Sequence, residues 1–179
     1  CMDEVLVIQQ TIDDLLFLAK NENLPNTPLE DVYCDEVTLE AAKELKAYAS
    51  LKEIEIIPQI KELFQIKGYS QLLKIAIKNI LKNAISFSHK NSIVHIKNYI
   101  EKDNFIISIE DKGIGIPKKE QEKIFEKFYR SDKSRNKELG GTGLGMSIAK
   151  KIIELHHGKI VLESYENQGT IVNIIFKKE

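Results

Sequence analysis

Apolar residues recur at three- and four-residue steps in four stretches of this chain, and they alternate with polar residues in several shorter ones. In residues 3–20 the stripe is Val5, Ile8, Ile12, Leu15, Leu16 and Ala19, which predicts a helix. Leu24-Pro25-Asn26-Thr27-Pro28 ends it, because two prolines within four residues cannot continue a helix. A boundary is therefore expected between residues 1–23 and a main domain over 24–179. A second helix is expected over 35–50, with Val37, Leu39, Ala42, Leu45 and Ala49 inward. A third covers 70–86, with Leu72, Leu73, Ile75, Ala76, Ile80, Leu81 and Ala84 on its buried side. The last runs from Leu144 to His157, and Gly158 is placed to cap it.

Strands are expected at Ile54–Pro58, Leu63–Ile66, Ile93–Tyr99, Phe105–Glu110, Lys159–Tyr165 and Thr170–Phe176. Glu101 to Asn104 and Asn167-Gln168-Gly169 read as hairpin turns. This order predicts an α+β fold: a two-layer sandwich of a mostly antiparallel sheet with its helices together on one face, plus the N-terminal helix.

A hydrophobic fraction of 42% in 179 residues supports a core, and 30% charged residues cover the surface. The formal charge of −1 gives no pull toward nucleic acid. The two cysteines, Cys1 and Cys34, lack metal-site spacing, and no structural disulfide is expected. No run of 18 apolar residues is present to span a membrane, and no secretory leader is expected.

Six of the nine glycines fall between residues 113 and 145, in Asp111-Lys112-Gly113-Ile114-Gly115 and Gly140-Gly141-Thr142-Gly143-Leu144-Gly145. Glycine permits positive φ and close approach of backbone to a ligand. The first cluster follows a strand, where a carboxylate can accept a hydrogen bond from an exocyclic amine such as adenine's. The second opens into a helix, whose N-terminal N–H groups favour phosphate. It is neither a P-loop nor a Rossmann fingerprint, since it lacks the Gly-Lys-Ser/Thr ending and the strand–glycine–helix order. Asn79 and Asn83, four apart, share a helix face, and an amide oxygen there can ligate Mg²⁺. The polar stretch Ser131–Leu139 suits a lid, and Arg130 at its base suits a γ-phosphate.

With these pieces in order, residues 24–179 resemble the ATP-binding domain of a bacterial sensor histidine kinase. Asn79-Ile80-Leu81-Lys82-Asn83-Ala84 resembles the N box, Asp111–Gly115 the first glycine box, Ile124–Arg130 the F box and Gly141–Gly145 the second glycine box. The resemblance implies a Bergerat-type sandwich that holds ATP between the N-box helix and the lid. It implies that Asn83 coordinates Mg²⁺, that Asn79 supports the phosphates, and that Asp111 binds the adenine amine, with Thr170 assisting. Phe128 would anchor the lid, Arg130 would meet the γ-phosphate, and Gly141, Gly143 and Gly145 would line the phosphate path. Gly113, Gly115, Tyr129, Lys133, Thr142 and Leu144 complete the implied nucleotide contacts.

Residues 1–23 resemble the end of the second helix of that family's dimerisation and histidine-phosphotransfer module. The implied partners are the phosphoacceptor histidine domain of the same kinase and a cognate response regulator. The implied parent is a homodimer anchored in the inner membrane with this part in the cytoplasm; the chain alone is compatible with a monomer. None of His89, His95, His156 and His157 is followed by the acceptor motif, and the last two read as residues that suit a helix dipole. Ser86 stands where many relatives carry Lys, and His157 where Gly is common. The ATP-hydrolysing branches of the fold carry Glu at the position of Asn79, and an amide cannot act as general base near neutral pH. The alternatives are a serine kinase with the same nucleotide site, or an ATP-binding regulatory domain.

Overall fold

The computed structural model describes residues 28–130 and 142–178. The helix expected over 3–20, the lid, Lys133, Gly140 and Gly141 lie outside the described residues. In chain order the elements are β1 (Glu30–Tyr33), α1 (Cys34–Leu51), β2 (Glu55–Ile60), β3 (Gln65–Gly68), α2 (Ser70–Phe87), β4 (Ile93–Glu101), β5 (Asn104–Asp111), α3 (Gly145–Leu155), β6 (Lys159–Tyr165) and β7 (Gly169–Lys177). Two 3₁₀ turns, Lys118–Glu120 and Lys123–Phe125, lie between β5 and α3.

The main sheet has the order β2-β4-β5-β7-β6. Only β2 and β4 run parallel; the other neighbours are antiparallel. Pro58, which has no N–H to give, is tolerated because β2 is an edge strand. The alternation expected of β4 and β5 becomes two faces. Ile96 pairs with Ile109 and Ile109 with Val172, and Ile107 pairs with Ile174; all five are buried, as is Val94 on the same face of β4. The other face carries His95 opposite Glu110 and Lys97 opposite Ser108. The three described helices supply the second layer: Ala41, Leu45, Leu73, Ile77, Leu81, Ile148 and Ile152 join the same core as the buried strip. The two-layer α+β architecture is as the sequence predicts.

Several details differ. β1 was not expected; it pairs antiparallel with β3 in a separate two-stranded sheet. Its acidic sequence buries only Val32, too little for a pattern to show. The strand expected from Ile54 begins at Glu55 and runs on to Ile60, and the one expected from Leu63 begins at Gln65. On α1, Val37, Ala42, Leu45 and Ala49 are buried as expected, but Leu39 is exposed while Thr38 and Ala41 join the buried face. On α2, Ile75 is exposed and Ile77 and Ile85 are buried, because α1 and α3 flank this helix and widen its covered surface. The helix α2 starts where the Glu30 carboxylate accepts the Ser70 N–H at 3.0 Å, which satisfies one of the donors a helix start leaves over.

The end of α3 corrects two expectations. The left-handed residue that closes the helix is His157 (φ 56°), not Gly158. The Gly158 N–H then donates to the Ile153 carbonyl at 2.9 Å and the His157 N–H to Glu154 at 3.0 Å, a Schellman closure. His156 is no exposed cation on the dipole. It is buried; its Nδ1 lies 2.7 Å from the Ile152 carbonyl, and its Nε2 accepts the Tyr69 N–H at 2.9 Å. Those bonds require a neutral ring with the proton on Nδ1. Desolvation holds its pKa below the usual histidine value, with the Ile152 carbonyl opposing. His156 thereby ties the end of α3 to the β3–α2 junction.

Candidate nucleotide site

Four segments contribute: the asparagine face of α2, whose Asn79 packs on the start of α3, and the end of β5 with its glycine turn, which packs on the start of β7 and on the end of α2. Asp111 is the last residue of β5 and pairs in register with Thr170 on β7. It is buried, and its Oδ1 accepts the Gly113 N–H at 2.9 Å. Desolvation pushes its pKa up from 3.8 to about 6, against the opposing backbone N–H groups of Gly113 and Thr170. A carboxylate desolvated inside a turn rather than held in an ion pair is a candidate functional group.

The turn beyond it requires its glycines. A Cβ on Gly113 would lie 2.0 Å from the Phe87 carbonyl oxygen at the end of α2. Gly115 has φ 63°, and a Cβ there would lie 1.9 Å from the Tyr165 carbonyl oxygen. These contacts let the turn pair with both neighbours: Ile114 N–H donates to Phe87 O at 3.1 Å, and Asn167 N–H to Ile114 O at 2.8 Å.

Behind the turn stand residues that sequence reasoning did not single out. Ser164 Oγ lies 2.8 Å from Thr170 Oγ1, donates to the Gly169 carbonyl at 3.0 Å, and accepts the Ile116 N–H at 2.8 Å. Gly169 was expected only as a turn residue. It has φ 102°, and a Cβ there would lie 2.1 Å from the Asp111 carbonyl oxygen. The periodicity of two strands carries no signal for this cross-strand hydroxyl network.

At the other end, Thr142 Oγ1 accepts the Leu144 N–H at 3.1 Å and so shapes the entry to α3. Leu144 is fully buried; its side chain anchors the loop in the core and leaves only its backbone to face a ligand. Gly143 has φ 73°, and its carbonyl accepts the Phe128 N–H at 2.9 Å. Phe128 therefore holds this loop through its backbone, at φ 64°, and the residue is 62% exposed. Tyr129 and Arg130, both half-buried, follow directly.

Asn79 packs at the start of α3. Its Oδ1 lies 3.3 Å from the position a Cβ on Gly145 would take, so the first turn of α3 packs on this side chain. Its Nδ2 is buried and has no hydrogen-bond partner among the described residues. An unmet buried donor beside a helix N-terminus fits an anionic guest. Asn83 lies one turn further along the same face of α2. Among the described residues no group of three or more His, Cys, Asp or Glu could hold a metal, so an Mg²⁺ would rely on an amide oxygen and on its ligand's phosphates.

Residues 68–179 match the model of the histidine kinase-, DNA gyrase B- and HSP90-like ATPase family. The chain belongs to this ATPase family. ATP is accordingly its nucleotide. Curated relatives of this ATPase domain include the sensor-like histidine kinase SenX3 of Mycolicibacterium smegmatis, 35% identical over 160 residues that cover 89% of this chain and 42% of SenX3. The signal transduction histidine-protein kinase ArlS of Staphylococcus aureus is 35% identical over 98% of this chain and 39% of its own length. The chain thus spans about two fifths of the length of these relatives. Among solved structures, the mycobacterial sensor histidine kinase MprB superposes with TM-score 0.73 at 28% identity, covering 83% of this chain and 97% of that one. The catalytic domain of the histidine kinase ThkA gives TM-score 0.72 at 25% identity, over 85% and 97%. This ATPase domain is homologous to sensor histidine kinases. No helix among its described residues is long and apolar enough to cross a membrane.

Proposed function

We propose that this chain is the catalytic part of a two-component sensor kinase that transfers the γ-phosphoryl group of Mg-ATP to a histidine on a dimerisation module. What supports the reading is a desolvated Asp111 at the end of β5 together with an unmet, buried Asn79 amide packed against the first turn of α3.

Asp111 accepts a hydrogen bond from the adenine amine, and the Gly113–Gly115 turn brings backbone up to the base. Ser164 and Thr170 fix the wall behind it. Asn79 donates Nδ2 toward the phosphates, beside the N–H groups that open α3. Asn83 would hold Mg²⁺, which when bound neutralises charge between phosphate oxygens. Arg130 would meet the γ-phosphate with Tyr129 beside it, and Lys133 and Gly141 are proposed nucleotide contacts from their places in the sequence. Catalysis is then mostly positioning and charge stabilisation. With Asn at position 79, no side chain there can take a proton from water, which favours transfer over hydrolysis. Residues 1–23 belong to the end of the dimerisation module's second helix. The parent is a membrane-anchored homodimer whose phosphohistidine passes its phosphoryl group to an Asp of a response regulator. The structural neighbour ThkA, a histidine kinase, is solved in complex with response regulator protein TrrA.

The test is to incubate the chain with γ-labelled ATP, Mg²⁺ and a separately prepared dimerisation module from a relative. Acid-labile, alkali-stable label on that module, absent when its histidine is changed to Gln, is the expected result. Label on serine, or none despite ATP binding, would contradict the reading.

A further inference from the structure

The two edges of the main sheet are built differently. β2 carries Pro58, which has no N–H to offer a further strand. β6, Lys159-Ile160-Val161-Leu162-Glu163-Ser164-Tyr165, holds neither proline nor glycine. Its only strand neighbour among the described residues is β7. A strand in an antiparallel ladder bonds to each side through alternate residues, so every second residue of β6 turns its N–H and C=O away from β7. Such an edge is a template for another strand.

Two charges on β6 lack complements. Ile160 and Leu162 pair with Ile174 and Val172 and pack on the core, so Lys159, Val161 and Glu163 line the opposite face. Across on β7, Lys159 meets Ile175 and Glu163 meets Ile171. Both charged residues are exposed, and neither forms an ion pair among the described residues. Four residues apart on one strand, they are separated by about 13 Å, too far to pair with each other.

A second copy of the strand supplies both complements. An antiparallel pair about a twofold axis matches residues of the same face, so the axis must pass through a residue. Centred on Val161, the pair sets Lys159 of each copy opposite Glu163 of the other, Ile160 opposite Leu162, and Val161 opposite itself. Centring on Lys159 or Glu163 would set like charges together. Centring on Ile160 or Leu162 would set one charge against Val161. The Val161 register therefore matches every charge and every apolar side chain between Lys159 and Glu163. On the helix side, Leu162 lines a groove with Gln121, Glu122, Phe125 and Lys150, and this register brings the second copy's Ile160 to its rim.

We propose that β6 is a homotypic docking edge, through which two copies of this chain pair antiparallel about Val161 and join their five-stranded sheets into one. One strand edge is smaller than the roughly 1,200–2,000 Å² of a standard interface, so the contact is weak and suits copies already held near each other.

Sedimentation equilibrium of the parent chain, Lys159→Glu, Glu163→Lys, the double variant and an equimolar mixture of the two single variants tests the pairing, with a thermal melt of each. The parent should associate reversibly with a dissociation constant of about 10–500 µM. Each single change sets like charges opposite at both symmetric contacts and should weaken association about tenfold or more. The double variant and the mixture put opposite charges back at both contacts, and should recover association to within about threefold of the parent. Melting should stay as in the parent, since both side chains are exposed. A parent that stays monomeric up to about 1 mM would overturn the pairing. So would single variants that do not recover on mixing. Association equal in the parent and both single variants would place the contact elsewhere, as on residues 1–23, and overturn it too.

Discussion

Changing Asp111 to Asn should stabilise the free protein and weaken its nucleotide binding. The folded pKa of about 6 lies above the ordinary 3.8, so between those values the folded state holds a proton that the unfolded chain has released. The associated stability is present below the lower value and is lost as pH rises through about 6. At neutral pH the buried carboxylate therefore costs at most about 3 kcal/mol, taking about 1.4 kcal/mol per pH unit. Asn removes the charge and keeps an oxygen for the Gly113 N–H, but its new amide needs an acceptor, which reduces the gain to about 1–2 kcal/mol. A domain of this size gains about 2–4 °C per kcal/mol. Melting of Asp111→Asn should thus lie about 3–6 °C above the parent at pH 7.5, with the gap closing as pH falls through 6. ATP affinity should drop about tenfold or more, since the Asn amide faces the adenine amine donor to donor. The assay is a pair of melts at pH 7.5 and pH 5 with a calorimetric ATP titration at pH 7.5. A lower melting temperature at pH 7.5, or unchanged ATP binding, would refute the reasoning.

Three further outcomes follow from backbone and core geometry. His157→Gly relieves a left-handed residue and should raise melting by about 1–3 °C, with ATP binding unchanged. Gly113→Ala forces a Cβ onto the rigid Phe87 carbonyl, so a loss of about 2–3 kcal/mol in denaturant melts and a loss of ATP binding are expected. His156→Ala strands the Tyr69 N–H and empties a buried site; it should cost about 2–3 kcal/mol at pH 7.5, read by urea unfolding.

The order of helices and strands was legible because each long helix and each sheet strand keeps one face in the core. What periodicity lost was phase and reach. Leu39 sits three residues from Ala42 and reads as core, yet α1 turns it outward and seats Thr38 against Asn98 on β4, Oγ1 to Oδ1 at 3.2 Å. No local pattern announces that His156 bonds a backbone N–H 87 residues earlier, or that Tyr48 reaches Ser86. In the cleft, spacing and glycine content singled out Asn79, Asn83, Asp111, Gly113, Gly115 and the loop before α3, because helix faces and turn chemistry are local. Ser164 and Gly169 escaped because their roles arise from strand pairing across the sheet.

Asn79, Asn83 and Asp111 are proposed to form one Mg-ATP site. The first measurement is calorimetric titration of ATP into the parent chain and into Asn83→Ala, each with and without Mg²⁺. Saturable one-to-one binding by the parent that weakens about tenfold or more without Mg²⁺ is expected, with binding by Asn83→Ala that is weak and indifferent to the metal. Equal binding by both proteins, with the same dependence on Mg²⁺, would contradict it.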